Sequence, residues 1–177
     1  MRPRLMGLVL ITTVVAIAML SHVKQARATP AAGFVGTTIA QGTLAEFEVF
    51  NHFVMPHTKM REEDRNVWLS WQKTKGSSDL YVQSNVWQPG GSTGWHSHPG
   101  HSLIVVTAGT VSDYEGNDPS CTAHVYTVGS AFVDEGGSHS HIIRNEGDVV
   151  AQTIAVQLIP AGQPRRIDVT DPGNCHF

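Results

Sequence analysis

The chain has 177 residues, of which 41% are hydrophobic and 15% charged, and its formal net charge at pH 7 is −3. This length suits one domain, or two very small ones, and leaves enough chain to bury a core. The low charge and the high apolar content exclude a disordered protein. The weakly acidic balance leaves no basic surface for nucleic acid, which is therefore not expected as a partner.

The first 28 residues have the pattern of a secretory signal. Arg2 and Arg4 form a short basic start, and the run Leu5–Leu20 contains no charge. Ala26-Arg27-Ala28 then supplies the small-x-small pattern of a signal-peptidase site. We therefore expect a signal peptide over residues 1–28 and an exported product, either secreted, periplasmic or held in the cell envelope. An uncleaved membrane anchor is the alternative, but the apolar run is shorter than the roughly 20 residues of a spanning helix.

Removal of this segment leaves a predicted single domain over residues 29–177 and no expected membrane span. The segment takes away four basic residues and no acidic one, so 8 basic and 15 acidic residues remain and the net charge becomes −7.

Cys121 and Cys175 are expected to form a disulfide in an oxidising compartment. Two unpaired buried cysteines are the alternative. Such a disulfide would close a loop of about 55 residues, which stabilises a domain by about 4 kcal/mol in the chain-entropy model.

From Gly33 onward, short apolar and β-branched segments alternate with clusters of Gly, Pro, Asn and Asp, and helical periodicity is almost absent. The segments predict strands over Leu44–Phe53, Val67–Lys73, Asp79–Trp87, Ser102–Thr107, Thr110–Tyr114, Ala123–Thr127, His139–Arg144, Val149–Leu158 and Arg165–Val169. Between the first two, the charged stretch Met55–Asn66 predicts a solvated loop. Many short strands at fairly regular spacing predict an all-β fold, an antiparallel sandwich or barrel.

Two short stretches contain five of the nine histidines that follow the signal segment. His96 and His98 are separated by one residue, His101 follows them, and His139 and His141 repeat the one-residue spacing. Residues i and i+2 of a strand point to the same face, so each pair can bind one metal ion. Two imidazoles from one strand and a third from a facing strand form a three-ligand site with open coordination positions. The alternative for each pair is a hydrogen-bonded polar pair without metal.

The first histidine stretch resembles the first motif of the cupin superfamily, whose fold is a double-stranded β-helix, or small jelly-roll barrel. Gly90 is followed by five residues and then by His96-Ser97-His98, and Gly109 closes the motif. Counting back from this glycine, Ser102 stands where the family has a glutamate ligand.

The second stretch resembles the second cupin motif. Gly129 is followed by five residues and then by Glu135-Gly136-Gly137, and His141 stands four positions before Asn145. Two departures are that Glu135 replaces the family's proline and that the spacing to His141 is one residue longer. The two motifs occur in the expected order, and the resemblance implies a cupin domain with a barrel core over about residues 67–169.

By this resemblance, the metal ligands are His96, His98 and His141, without a carboxylate. His101, His139 and Ser102 remain candidates for a fourth ligand or for the rim of the site. Imidazole ligands suit Fe, Mn, Zn, Ni or Cu, and the sequence does not choose among them.

The resemblance implies two functions of different classes. The first is a metal-dependent oxidoreductase, such as a dioxygenase, that acts on a small molecule, since some cupin dioxygenases bind iron through three histidines. The second is a module that binds a metal or a small ligand without catalysis, because no general base, nucleophile or nucleotide motif accompanies the histidines. The expected partners are a small-molecule ligand or substrate and a second copy of the chain in a homodimer.

Overall fold

The computed structural model describes residues 28–54 and 67–177. The predicted signal peptide and the predicted loop Met55–Asn66 lie outside this part, except for Ala28. Every element of the described part is a strand: β1 (Ala32–Leu44), β2 (Glu48–Val54), β3 (Val67–Lys73), β4 (Ser78–Ser92), β5 (His96–Ser97), β6 (Ser102–Ala108), β7 (Thr110–Glu115), β8 (His124–Thr127), β9 (Ala131–Asp134), β10 (His141–Arg144), β11 (Ala151–Pro160) and β12 (Ile167–Asp168). Within these residues, no helix has the length and apolar character needed to cross a membrane.

Ten of the strands form one sheet that curves into a nearly closed barrel. Its main path runs β12-β5-β10-β4-β11-β6-β9, while β1 pairs with β4 and β7 links β10 to β8. All of these pairs are antiparallel. The two remaining strands, β2 and β3, pair only with each other in a separate hairpin sheet. The prediction of an all-β barrel is confirmed.

Alternation along the strands builds the interior of the barrel. On β6, Ile104 and Val106 are buried, whereas Leu103 and Val105 face outward. Period-two alternation of this kind is expected for a sheet with one face against a core. Ile104 and Val106 pack with buried residues of β4, β7, β9, β10 and β11 to form the main core cluster. The cluster consists of Trp87, Ile104, Val106, Val111, Phe132, Ile143, Ala151 and Ala155.

A second, smaller core lies beside the first and includes the disulfide. Cys121 and Cys175 are bonded, as predicted. Cys175 is buried and belongs to a cluster with Trp95, Tyr114 and Ile142. Trp95 immediately precedes His96, and Ile142 immediately follows His141. The disulfide therefore joins the C-terminal tail to the connection between β7 and β8, and Cys175 packs against the neighbours of both histidines.

Two residues of the cupin-like motifs have structural roles. Gly109 alone connects β6 to β7, with φ at +64°, and a Cβ atom there would lie 2.8 Å from the Cα of Ala151. Both features require glycine. Asn145 is buried, and its amide nitrogen donates to the carbonyl oxygens of Trp87 and Val149. It therefore links the turn that joins β10 to β11 with strand β4.

The strand pattern differs from the prediction at its beginning. The main sheet begins with β1, whereas the sequence predicted the first strand over Leu44–Phe53. Most side chains of β1 are exposed and many are Gly, Thr or Gln, so the strand shows no alternation of apolar and polar residues. In the described part of the chain, β1 joins the main sheet and β3 does not.

Two further differences concern the strands near the second histidine stretch. The predicted strand His139–Arg144 begins only at His141, because the preceding residues form a turn that contains Gly136 and Gly137 at positive φ. The short strand β9 was not predicted, since four residues bounded by turns give too little alternation to recognise.

Candidate metal site

Three histidines meet inside the barrel. His96 on β5 lies directly opposite His141 on β10, and His98 follows β5. Their exposed fractions are only 4%, 3% and 7%, in that order. One ring nitrogen from each residue can be chosen so that all three lie within 4.8 Å of one another. The structure thus brings together the three residues that the cupin resemblance implies as ligands.

Each of these rings is oriented by a hydrogen bond to its Nδ1 atom. The partner is the carbonyl oxygen of Gly94 for His96 at 2.9 Å, and that of Arg165 for His98 at 2.7 Å. For His141 it is Oδ1 of Asp113, at 3.1 Å.

All three partners are acceptors, so a neutral ring donates its Nδ1 hydrogen and keeps a lone pair on Nε2. The Nε2 atom of His141 is buried and has no hydrogen-bond partner in the described part of the chain. A carboxylate or carbonyl on the far nitrogen is the usual support of a metal-binding histidine. The donor set therefore fits a divalent transition metal.

Burial and nearby charges set the protonation of the three rings. Burial lowers the pKa of His96 well below its usual value, and charge repulsion from His141, Arg166 and His98 lowers it further. Burial also lowers the pKa of His98 and outweighs the opposing charge of Asp134. These two rings are held neutral, as metal ligands must be.

His141 behaves differently. Burial is the largest single influence on the pKa of His141, and it lowers that pKa. The hydrogen bond and charge of Asp113, with the charges of Asp134 and Glu115, together outweigh burial, so the pKa of His141 is raised.

A carboxylate that the sequence interpretation missed lies beside the rings. Oδ2 of Asp134 is 3.4 Å from Nε2 of His98 and 3.9 Å from Nε2 of His141. Asp134 ends β9, is 6% exposed, and pairs in register with Ser102 on β6. The signal in the sequence was weak: in the segment Ala131–Asp134, alternation places Asp134 on the same inward face as the core residue Phe132.

The three candidates for a fourth ligand lie in different surroundings. Ser102 is next to the cluster, but its hydroxyl donates to Oδ2 of Asp134 at 3.2 Å. His139 is outside the cluster, with 42% of its side chain exposed, and its ring faces Glu135 and Glu115. It does not share the face of His141, because the turn before β10 interrupts the alternation on which that expectation depended. His101 contacts Gln72 at 3.5 Å, and the two line a different cavity.

The histidine cluster lines a cavity of about 60 Å³ inside the barrel. Because one water needs roughly 10 to 15 Å³ measured in this way, the space suits a metal ion with a few waters or a ligand of a few atoms. The buried amides Gln83 and Gln157 line it, and the amide oxygen of each has no hydrogen-bond partner within the described residues. Arg165 and Arg166 also line the cavity and give it positive charge.

Comparisons with known proteins find likeness in structure only. No protein-family model matches the chain, and no curated protein matches it. A structure of oxalate oxidase aligns at 22% identity and a TM-score of 0.44, over 51% of this chain and 46% of that one. The chain thus spans less than half the length of that protein.

Two structures from Thermotoga maritima align in a similar way. A cupin-like protein aligns at 21% identity and a TM-score of 0.43, over 52% of this chain and 65% of its own. A predicted oxalate decarboxylase aligns at 20% identity and a TM-score of 0.38, over 48% of this chain and 83% of its own.

The fold and the site define an all-β barrel with a buried cluster of three histidines. The chain is thus an antiparallel barrel that contains two motifs resembling those of the cupin superfamily, with the histidines of both motifs meeting in its interior.

Proposed function

We propose that this protein binds one divalent transition metal through the Nε2 atoms of His96, His98 and His141, and acts as a metal-dependent oxidoreductase, such as a dioxygenase, on a small molecule. The observation that carries the metal site is the orientation of the three rings. Each Nδ1 atom is held by an acceptor, and one unpartnered Nε2 atom is buried at the centre of the cluster.

The metal is one of Fe, Mn, Zn, Ni or Cu, all of which accept imidazole ligands. When bound, such an ion acts as a Lewis acid, and Fe, Mn or Cu also exchanges single electrons with a substrate. The residues of the chain bind and orient the small molecule next to the ion. The amide oxygens of Gln83 and Gln157 are available to accept hydrogen bonds from it.

Arg165 favours a small anionic molecule. Its side chain lines the cavity next to the histidines and has no carboxylate partner among the described residues. Burial lowers the pKa of Arg165, followed by the charge of Arg166, although a guanidinium remains charged at neutral pH. A carboxylate or similar group on the ligand would compensate this charge at the mouth of the metal site.

Elemental analysis and oxygen uptake test the proposal. The exported protein, purified without a polyhistidine tag, is expected to contain one transition metal per chain, and His96→Ala is expected to lose it. Loading with Fe²⁺ and measuring oxygen uptake over a panel of small carboxylic acids is expected to identify a substrate. A native protein without metal would overturn the metal site, whereas absence of turnover with every metal would overturn only the oxidoreductase.

The alternative is a binding module without catalysis. It is favoured by the lining of the cavity, in which Asp134 is the one carboxylate among the described residues and no lysine, cysteine, tyrosine or glutamate is present. This alternative predicts stoichiometric metal and saturable ligand binding, measured by calorimetry, without consumption of oxygen or ligand.

We further propose that the protein is exported after cleavage of residues 1–28 and that residues 29–177 form its single cupin domain. The disulfide supports an oxidising compartment. A homodimer is part of the same proposal, and the exposed apolar side chains of the separate hairpin, including Phe50, Trp68 and Trp71, support it. Mass spectrometry of the secreted protein tests the cleavage, and light scattering tests the dimer.

A further inference from the structure

We propose that Asp134 is a fourth ligand of the metal, so that this chain supplies from β9 the carboxylate that the cupin motif places at the position of Ser102. The proposal rests on the proposed metal site and deepens it. It changes the charge of the site, because a carboxylate reduces the net charge of a divalent ion and three neutral imidazoles from +2 to +1.

The register of β6 and β9 allows either strand to supply a carboxylate to the metal site. Ser102 on β6 and Asp134 on β9 are directly opposite each other in an antiparallel pair. Side chains directly opposite each other lie on the same face of the sheet, with Cβ atoms about 5 Å apart. Both residues are buried and line the cavity of the histidine cluster. A carboxylate at either position therefore reaches the same space.

The hydrogen bonds around His98 suit a cation between its ring and Asp134. The carbonyl oxygen of Arg165 accepts from Nδ1 of His98, so in the neutral ring Nε2 has only a lone pair. Oδ2 of Asp134 also has only lone pairs and lies 3.4 Å away. Two acceptors repel each other at this distance unless a cation lies between them. Two ligand atoms on a tetrahedral Zn²⁺-like ion, each about 2.1 Å from it, are themselves about 3.4 Å apart.

The carboxylate of Asp134 is fixed in this position by the chain itself. The backbone N–H of Gly136 donates to Oδ1 at 3.0 Å, and the Ser102 hydroxyl donates to Oδ2 at 3.2 Å. Among the described residues, the basic groups within ion-pair distance of Asp134 are the imidazoles of His98 and His141 alone. A buried carboxylate is costly without a compensating positive charge, and a metal held by the same imidazoles provides it.

Asp134→Asn is the direct test, because it removes the charge and keeps the size of the side chain. Metal affinity is measured by competition with a chromophoric chelator on the full-length exported protein, using Zn²⁺ and Co²⁺ as probes. We expect at least about a 100-fold loss of affinity, since removal of a residue that only supports a ligand already costs about 10- to 100-fold. Azide, which binds open positions on the Co²⁺ form, is expected to bind more tightly to this variant, because its site has the higher positive charge.

Ser102→Ala is the matched control. It removes the hydroxyl that contacts Asp134 but leaves the carboxylate, so we expect about a tenfold loss of affinity or less. A loss in Ser102→Ala as large as that in Asp134→Asn would identify the serine as the ligand and overturn the proposal.

The stability of the metal-free protein distinguishes a ligand from an ordinary ion pair. If Asp134 serves the metal, Asp134→Asn leaves the unfolding midpoint of the metal-free protein unchanged or raises it. If Asp134 instead pairs with a protonated His98, the variant lowers that midpoint and leaves metal affinity within about threefold, which overturns the proposal. A wild-type protein that binds no metal would instead contradict the proposed function.

Discussion

Replacing Asp113 by asparagine removes the charge from the hydrogen bond that orients His141 and keeps the size of the side chain. The bond is 3.1 Å long, and both side chains are buried. A hydrogen bond to a charged group contributes about 1.5 to 3 kcal/mol. Loss of a residue that supports a metal-binding histidine costs about 10- to 100-fold in affinity, which is about 1.4 to 2.7 kcal/mol. The two ranges agree, so we expect Asp113→Asn to weaken metal binding by about 10- to 100-fold at pH 8.

The pH dependence of the same variant provides a second, independent result. The hydrogen bond and charge of Asp113 are the largest influences that raise the pKa of His141. In the variant this pKa falls, so protons compete with the metal only at lower pH, and the affinity leaves its plateau at a lower pH than in the wild type. Chelator competition from about pH 5 to about pH 8.5 measures both effects across the imidazole range.

A charge-matched control is Asp148→Asn, an exposed position on the turn between β10 and β11. It is expected to leave both the affinity and its pH dependence unchanged. If Asp113→Asn has an affinity within twofold of the wild type and the same pH dependence, Asp113 does not support a metal-binding His141 and the reasoning is refuted.

The remaining predictions concern the ligands, the disulfide and acid stability. His141→Ala is expected to lose stoichiometric metal in elemental analysis, whereas His139→Ala retains it; metal loss in both would contradict the assignment. Replacing both disulfide cysteines with serine is expected to lower the free energy of unfolding in urea by up to about 4 kcal/mol, and an unchanged value would show that the tail is held by packing alone. The metal-free protein is expected to lose stability as the pH falls below about 6.5, because the lowered pKa values of His96 and His98 give stability above that pH. The raised pKa of His141 acts in the opposite direction, since the stability that it contributes is lost as the pH rises. Equal or greater stability in acid would therefore show that His141 outweighs His96 and His98.

The part of the site that local spacing encodes could be predicted from the sequence. His96 and His98 are two residues apart beside a short strand, and the second motif identified His141 by its distance from Asn145. Strand alternation alone treated His139 and His141 as equivalent, and the structure separates them because the turn before β10 is not a strand. The spacing of a motif was therefore more informative here than a general periodicity.

The part that depends on pairing between distant strands could not be predicted. Asp134 reaches the cluster because β9 pairs with β6 in a register that places it opposite Ser102. Register is determined by the packing of the whole sheet, and a four-residue strand contains too little alternation to reveal it. The carbonyl oxygen of Arg165 that orients His98 was beyond prediction for the same reason, since the two residues are 67 positions apart.

The central claim is that one metal ion is bound by His96, His98 and His141, and anomalous diffraction from crystals of the metal-loaded protein tests it most directly. The account predicts one strong anomalous peak per chain, about 2.0 to 2.2 Å from the three Nε2 atoms. A peak at another site, such as beside His101 or between His139 and Glu135, would contradict it, and so would the absence of any peak in the barrel.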